Sequence, residues 1–194
     1  MRMMLLRPFF YLLLTAGLSS MSVARTLCVN QGGTSGCYPT ISAAVAAAVE
    51  HDTIEVAQGN YAEDVVIGKS LSLVGENAHN TIIDAWGLAN GVYVDGLDHP
   101  GLRAVVVRGF TVKNANFEGI LVTNAADVTI SGNLVTGNDR NLNPAELTCP
   151  GIPAFETAEG FDCGEGIHLS GARYSIVADN KVFANAGGIL LSDD

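Results

Sequence analysis

The chain repeats itself, and the period of the repeat limits its possible folds more than any other feature. Gly166-Ile167-His168-Leu169-Ser170 recurs as Gly188-Ile189-Leu190-Leu191-Ser192, an offset of 22. The block from Ile130 through Asn133 and Val135 to Asn138 recurs as Val177, Asn180, Val182 and Asn185, an offset of 47, and Gly119 to Gly166 is also 47. One step earlier, Val105, Val107, Gly109 and Val112 match Val128, Ile130, Gly132 and Val135 at an offset of 23. The larger offset is one period of 22 plus an insertion of 25 residues between Asn138 and Gly166.

A period this short leaves room for one supersecondary unit per repeat, stacked on its neighbours. Inside each unit lie runs of three to five β-prone residues separated by Gly, Asn and Asp. Such runs alternate inward apolar and outward polar side chains, and the turn residues break the chain between them. That is a coil of a β-helix. Leucine-rich repeats have a similar period, but their closely spaced leucines are missing. A doubly wound α/β fold needs a helical pattern of 10–15 residues between strands, and none follows Val49. Asn133 with Asn180, and Asn138 with Asn185, occupy equivalent turn positions. Their stacked amides can satisfy turn groups that would otherwise be buried and unpaired.

One helix is predicted, within an N-terminal cap of about 38–51. Thr40 can cap it, and Ile41, Ala44, Val45, Ala48 and Val49 form its apolar stripe. Laid across the first coil, it covers the open end of the stack. Residues 1–24 read as a secretory signal: Arg2 and Arg7, then apolar Pro8 to Leu18, then the small residues Ser22-Val23-Ala24. The apolar run is shorter than the roughly 20 residues a bilayer requires. This places the domain at 25–194 and the protein outside the cytoplasm, extracellular or periplasmic, with no membrane partner once the signal is cut. Of the 10 lysines and arginines, Arg2 and Arg7 leave with the signal, so 8 basic residues face 20 acidic ones, a balance of −12. Such a surface repels phosphate backbones and excludes nucleic acid as a partner.

Four cysteines in an exported chain read as disulfides. Sequence proximity favours Cys28–Cys37 and Cys149–Cys163, although four cysteines allow three connectivities. Zinc is the weaker alternative, since neither pair has C-x₂₋₄-C spacing and only His168 lies near one.

Pro39-Thr-Ile-Ser-Ala-Ala, Asp52-Thr-Ile-Glu-Val and Gly59-Asn-Tyr61-x-Glu63-x-Val65-x-Ile67-x-Lys69-Ser-Leu-Ser-Leu-x-Gly75 resemble the N-terminal cap of pectin-lyase-like exported proteins. Pectin methylesterases, the β-helix accessory protein of nitrous oxide reductase maturation and many secreted repeat proteins share this opening. The resemblance implies an all-β fold: a right-handed parallel β-helix, a single-stranded solenoid with coils of about 22 residues and an N-terminal capping α-helix. It also implies that ligands lie along one sheet face, built by the Gly-Ile-x-Leu strands. Ile120, Val122, Ile167, Leu169, Ile189 and Leu191 then point inward, as should Val135 and Val182. Strict alternation puts Tyr93, Asp95, Leu121, Thr123, His168, Ser170, Leu190 and Ser192 outside, exposed.

The candidate ligand groove is therefore Tyr93, Asp95, Glu118, Thr123, Glu165, His168, Ser170 and Asp193, overhung by an insertion loop of about 139–165. Paired carboxylates are the machinery of glycoside hydrolysis, and His168 between Glu165 and Asp193 could act in acid–base chemistry. The plainer reading is that these are solvated groups on an acidic protein. The Asn-Thr-Asp and Gly-His-Gly signatures of polygalacturonases do not occur, nor does a methylesterase motif or a pectate lyase arginine. The catalytic residues are thus unassigned. No metal and no cofactor is expected, Ca²⁺ being the one cation that acidic loops could hold through oxygen ligands. The functional expectation is recognition of an extracellular polysaccharide or glycan, with polysaccharide lyase or glycoside hydrolase activity as its extension. The alternative is a non-catalytic structural or accessory β-helix. Residue 194 follows directly on a Gly-Ile-Leu-Leu strand. This predicts either a fragment of a longer protein, with catalytic residues in further coils, or end-to-end self-association.

Overall fold

The computed structural model describes residues 23–146, 148–152 and 164–192. Residues 1–22 of the proposed signal, and Asp193, lie outside them. Each short β-prone run forms a strand, and every strand pairs in parallel with its equivalent one coil away. The first sheet is β1 (Thr26–Val29), β2 (Thr53–Val56), β5 (Ser72–Gly75), β8 (Val106–Arg108), β11 (Thr129–Ser131) and β14 (Ile176–Ala178). The second holds β3 (Gly59–Tyr61), β6 (Thr81–Asp84), β9 (Thr111–Lys113), β12 (Leu134–Thr136) and β15 (Lys181–Phe183). The third holds β4 (Val65–Ile67), β7 (Val92–Asp95), β10 (Ile120–Thr123), β13 (Glu165–Ser170) and β16 (Gly187–Ser192). One strand from each sheet makes a coil, and the three sheets enclose a core of Val, Ile and Leu.

The corners between sheets show why the turn residues recur. Gly109, Gly132 and Asp179 all have positive φ, between 56° and 80°, at one equivalent position of three coils. Asn114, Gly137 and Ala184 do the same at another corner. A left-handed residue turns the chain sharply, and Gly, Asn and Asp adopt that conformation at least cost. The expected asparagine stacks are present. Asn133 Oδ1 accepts from Phe110 N at 3.1 Å, and Asn133 Nδ2 donates to Asn180 Oδ1 at 3.0 Å. Asn138 Oδ1 accepts from Ala115 N at 3.1 Å, and Asn138 Nδ2 donates to Asn185 Oδ1 at 3.1 Å.

The capping helix α1 spans Ile41–Ala47, with the Thr40 side chain accepting from Ala43 N at 3.1 Å. It packs on β1, β2 and β4 through Ile41, Ala44 and Val45. Glu63 binds its start, accepting from Ile41 N at 2.9 Å and Ser42 N at 2.8 Å, while Lys69 Nζ donates to Ala48 O at 2.9 Å beyond its end. Val49 does not belong to the buried stripe: the helix ends at Ala47 and Val49 is 39% exposed. The Asp52 carboxylate takes the Val49 N–H at 2.9 Å, pulling the chain out of the helix and into β2. Cys28 and Cys37 form a disulfide across the first turn. Cys149 is also disulfide-bonded, and Cys163 lies outside the described residues.

The inward positions are occupied as expected through β13, where Ile120, Val122, Ile167 and Leu169 are all buried. In the last described coil Ile189 and Leu191 keep the inward register, pairing with Ile167 and Leu169, yet both are exposed, and Val182 is half-buried. Among the described residues no further coil covers them.

Candidate functional site

The third sheet carries the nominated groove, and its outer face differs from the exposed row that alternation predicts. Asp95, Leu121, Thr123 and His168 are buried, Tyr93 and Ser170 half-buried. The correction has local causes. Asp95 turns back to accept the Asp98 N–H at 3.0 Å, the Tyr93 hydroxyl lies against Asp95 and Thr123, and Ser192 of the next coil reaches His168. The insertion leaves the coil at Asn138 and returns at Gly164, immediately before β13, and its ends touch, since a Cβ added at Gly164 would sit 2.6 Å from Asp139 Cβ.

Three nominated residues come together there. Glu118, Glu165 and His168 place one potential ligand atom each within 4.8 Å of the others, at exposures of 0%, 9% and 2%. The spacing alone argues against this, because residues three apart on a strand point to opposite faces. Glycine resolves the conflict. A Cβ on Gly119 would lie 2.3 Å from Val135 Cγ1, and one on Gly166 would lie 2.2 Å from Val182 Cγ1, so both positions face the core. The isoleucine after each glycine also faces the core. Two inward positions in succession shift the alternation by one, and Glu165 emerges on the side of His168. The next coil has Gly187 opposite Glu165, and a Cβ there would meet Glu165 Oε1 at 2.4 Å. The missing side chain makes the room that the carboxylate occupies.

Around this cluster, Glu118 N donates to Asn90 Oδ1 at 3.2 Å, and His168 Nε2 lies 3.0 Å from Ser192 Oγ. One coil further back, Asn90 N donates to Asp64 at 3.4 Å. Burial pushes the Asp64 carboxyl upward. Asp64, Asn90, Glu118 and Glu165 thus line the entrances to successive third-sheet strands.

Tyr93, Asp95 and Thr123 form a second group. The Tyr93 hydroxyl donates to Asp95 Oδ1 at 3.0 Å and lies 3.1 Å from Thr123 Oγ1. Burial and the neighbouring carboxylate push the Tyr93 phenol well above its usual range, so it stays protonated. Asp95 also accepts from Asp98 N at 3.0 Å and pairs with His99 Nδ1 at 3.2 Å, which makes it a cap for the turn after β7.

The deciding comparison is with family models, one of which, the right-handed beta helix region, matches residues 68–194. The chain belongs to that family. No curated protein matches it. In the β-helix, one residue that sequence reasoning passed over stands beside the third sheet. Trp86, the single tryptophan, is 65% exposed in the turn between β6 and β7, with the Arg140 guanidinium 4.2 Å over its ring. Its signal was legible, because a lone Trp in an Ala-Trp-Gly turn has no place in an alternating strand. Among the described residues no helix is long and apolar enough to cross a membrane.

Chemically, two carboxylates and an imidazole in one buried site have two uses. They can share protons as an acid–base set, or hold a cation between them.

Proposed function

We propose that the β-helix is exported and binds extracellular carbohydrate at the β6–β7 rim beside the third sheet. Trp86 carries the reading. An indole left largely in water on a rim turn, with one face held by Arg140, presents its other face as a stacking platform for an apolar sugar face. The disulfide of Cys28 and Cys37 is consistent with an oxidising compartment. Profiling the purified protein on immobilised polysaccharides tests the reading, with Trp86→Ala expected to weaken binding at least tenfold at unchanged melting temperature. Absence of binding to any glycan, or unaltered binding by Trp86→Ala, overturns it.

A further inference from the structure

We propose that Glu118, Glu165 and His168 bind a first-row divalent transition metal, of the Zn²⁺ or Co²⁺ kind. The inference does not depend on carbohydrate binding.

The donor set is mixed: two carboxylates and one imidazole, each more than nine-tenths removed from water, with ligand atoms mutually within 4.8 Å. Two ligands bound to the same ion at about 2.0–2.2 Å cannot be more than about 4.4 Å apart, so a small inward movement closes this set around one. Carboxylates this close to one another suit a shared cation. A divalent cation neutralises both, and a neutral imidazole completes three protein ligands, the number that leaves a fourth, open position on a tetrahedral ion. The imidazole also argues for the metal's class. Ca²⁺ takes six to eight oxygens and Mg²⁺ keeps an oxygen octahedron, whereas imidazole nitrogen suits Zn²⁺ and its neighbours.

A separate observation concerns the outer shell. A metal-binding histidine ordinarily has its second ring nitrogen held by a hydrogen-bonding partner, which fixes the ring and the tautomer. Ser192 supplies that partner, with its Oγ 3.0 Å from His168 Nε2. The ring is thus oriented from the next coil. Gly187 contributes by omission, since any side chain there would displace Glu165.

The test uses the purified protein, stripped with chelator and dialysed, then titrated with CoCl₂, ZnCl₂ and CaCl₂. Uptake of about one equivalent of Co²⁺ is expected, with a visible d–d spectrum, displacement by Zn²⁺ and no competition from Ca²⁺. His168→Ala should lose the spectrum. Because buried substitutions can impair folding, the decisive variant is Ser192→Ala, which keeps all three ligands and lies on a half-exposed strand end. It should weaken Co²⁺ binding about 10–100-fold while the circular dichroism spectrum stays unchanged. No spectrum in folded wild-type protein, Ca²⁺ competing at equal concentration, or Ser192→Ala binding as wild type would each overturn the assignment. Because metal uptake is read without any glycan, loss of carbohydrate binding alone leaves it standing.

Discussion

Asn133 offers the sharpest test of how the coils are held together. Its amide is 2% exposed and bonds in three directions: Oδ1 accepts from Phe110 N at 3.1 Å, and Nδ2 donates to Val107 O at 3.1 Å and to Asn180 Oδ1 at 3.0 Å. Alanine removes all three bonds. The buried Phe110 N–H then lacks that acceptor, at a cost of about 1–3 kcal/mol, and the two lost bonds add about 0.5–1.5 kcal/mol each. The sum is roughly 2–6 kcal/mol, a large share of the stability of a domain this size. Asn180 makes equivalent bonds one coil later, donating to Ile130 O at 2.9 Å, but it is half-buried and water can replace its amide. Asn180→Ala should therefore cost only about 1–2 kcal/mol. Urea unfolding followed by far-ultraviolet circular dichroism gives both values, provided the slope of the transition is unchanged. If Asn133→Ala costs less than about 1 kcal/mol, or no more than Asn180→Ala, the stacked amides are not what satisfies the corners.

Ile167→Ala should cost roughly 2–5 kcal/mol, because Ile167 is fully buried between Ile120 and Ile189; an insensitive Ile167 would mean that the register of the third sheet is wrong. Asp52 predicts an acid dependence. The Arg25 guanidinium, with the Val49 N–H, holds its carboxyl down to about 2, against about 3.9 in an unfolded chain. Its contribution is therefore complete above about pH 5 and lost as the pH falls through about 2. The urea midpoint of wild type should exceed that of Asp52→Asn at neutral pH, and the gap should narrow below about pH 4. A gap constant down to pH 2 would refute the linkage.

What could be read from the sequence divides along the repeat. The period placed the strands, the asparagine stacks and the inward positions of β10 and β13, because each coil states the same pattern again, while Thr40 and the apolar stripe behind it placed the capping helix. Stacking requires equivalents to coincide, and Ile120 does pair with Ile167 and Val135 with Val182. The failures lie where the pattern is interrupted. Val49 continues the helical spacing, but Asp52 captures its N–H. Ile189 and Leu191 obey the alternation, and their exposure depends on a neighbouring coil rather than on their own residues. His168 was assigned to solvent because alternation describes which side of a sheet a residue faces and nothing about what lies over that side.

That distinction explains why the candidate site was found as residues but misjudged as an environment. A coil can host a long insertion without losing register if the insertion's ends meet, and Asp139 and Gly164 do meet. Closing such a loop costs only slowly more as it lengthens, so the stack tolerates it. The insertion sits one residue before Glu165, between the two coils that supply the carboxylates. Those carboxylates reach the same face as His168 only because Gly119 and Gly166 each displace the alternation by one. Glycine at these positions therefore does more than permit a close approach to Val135 and Val182: it converts a spacing of three, which separates two side chains on an ordinary strand, into one that joins them. Gly91 and Gly188 hold the same position in neighbouring coils, where Asn90 and Gly187 replace the glutamate. The backbone device is common to four coils, and the carboxylates are confined to the two beside the insertion.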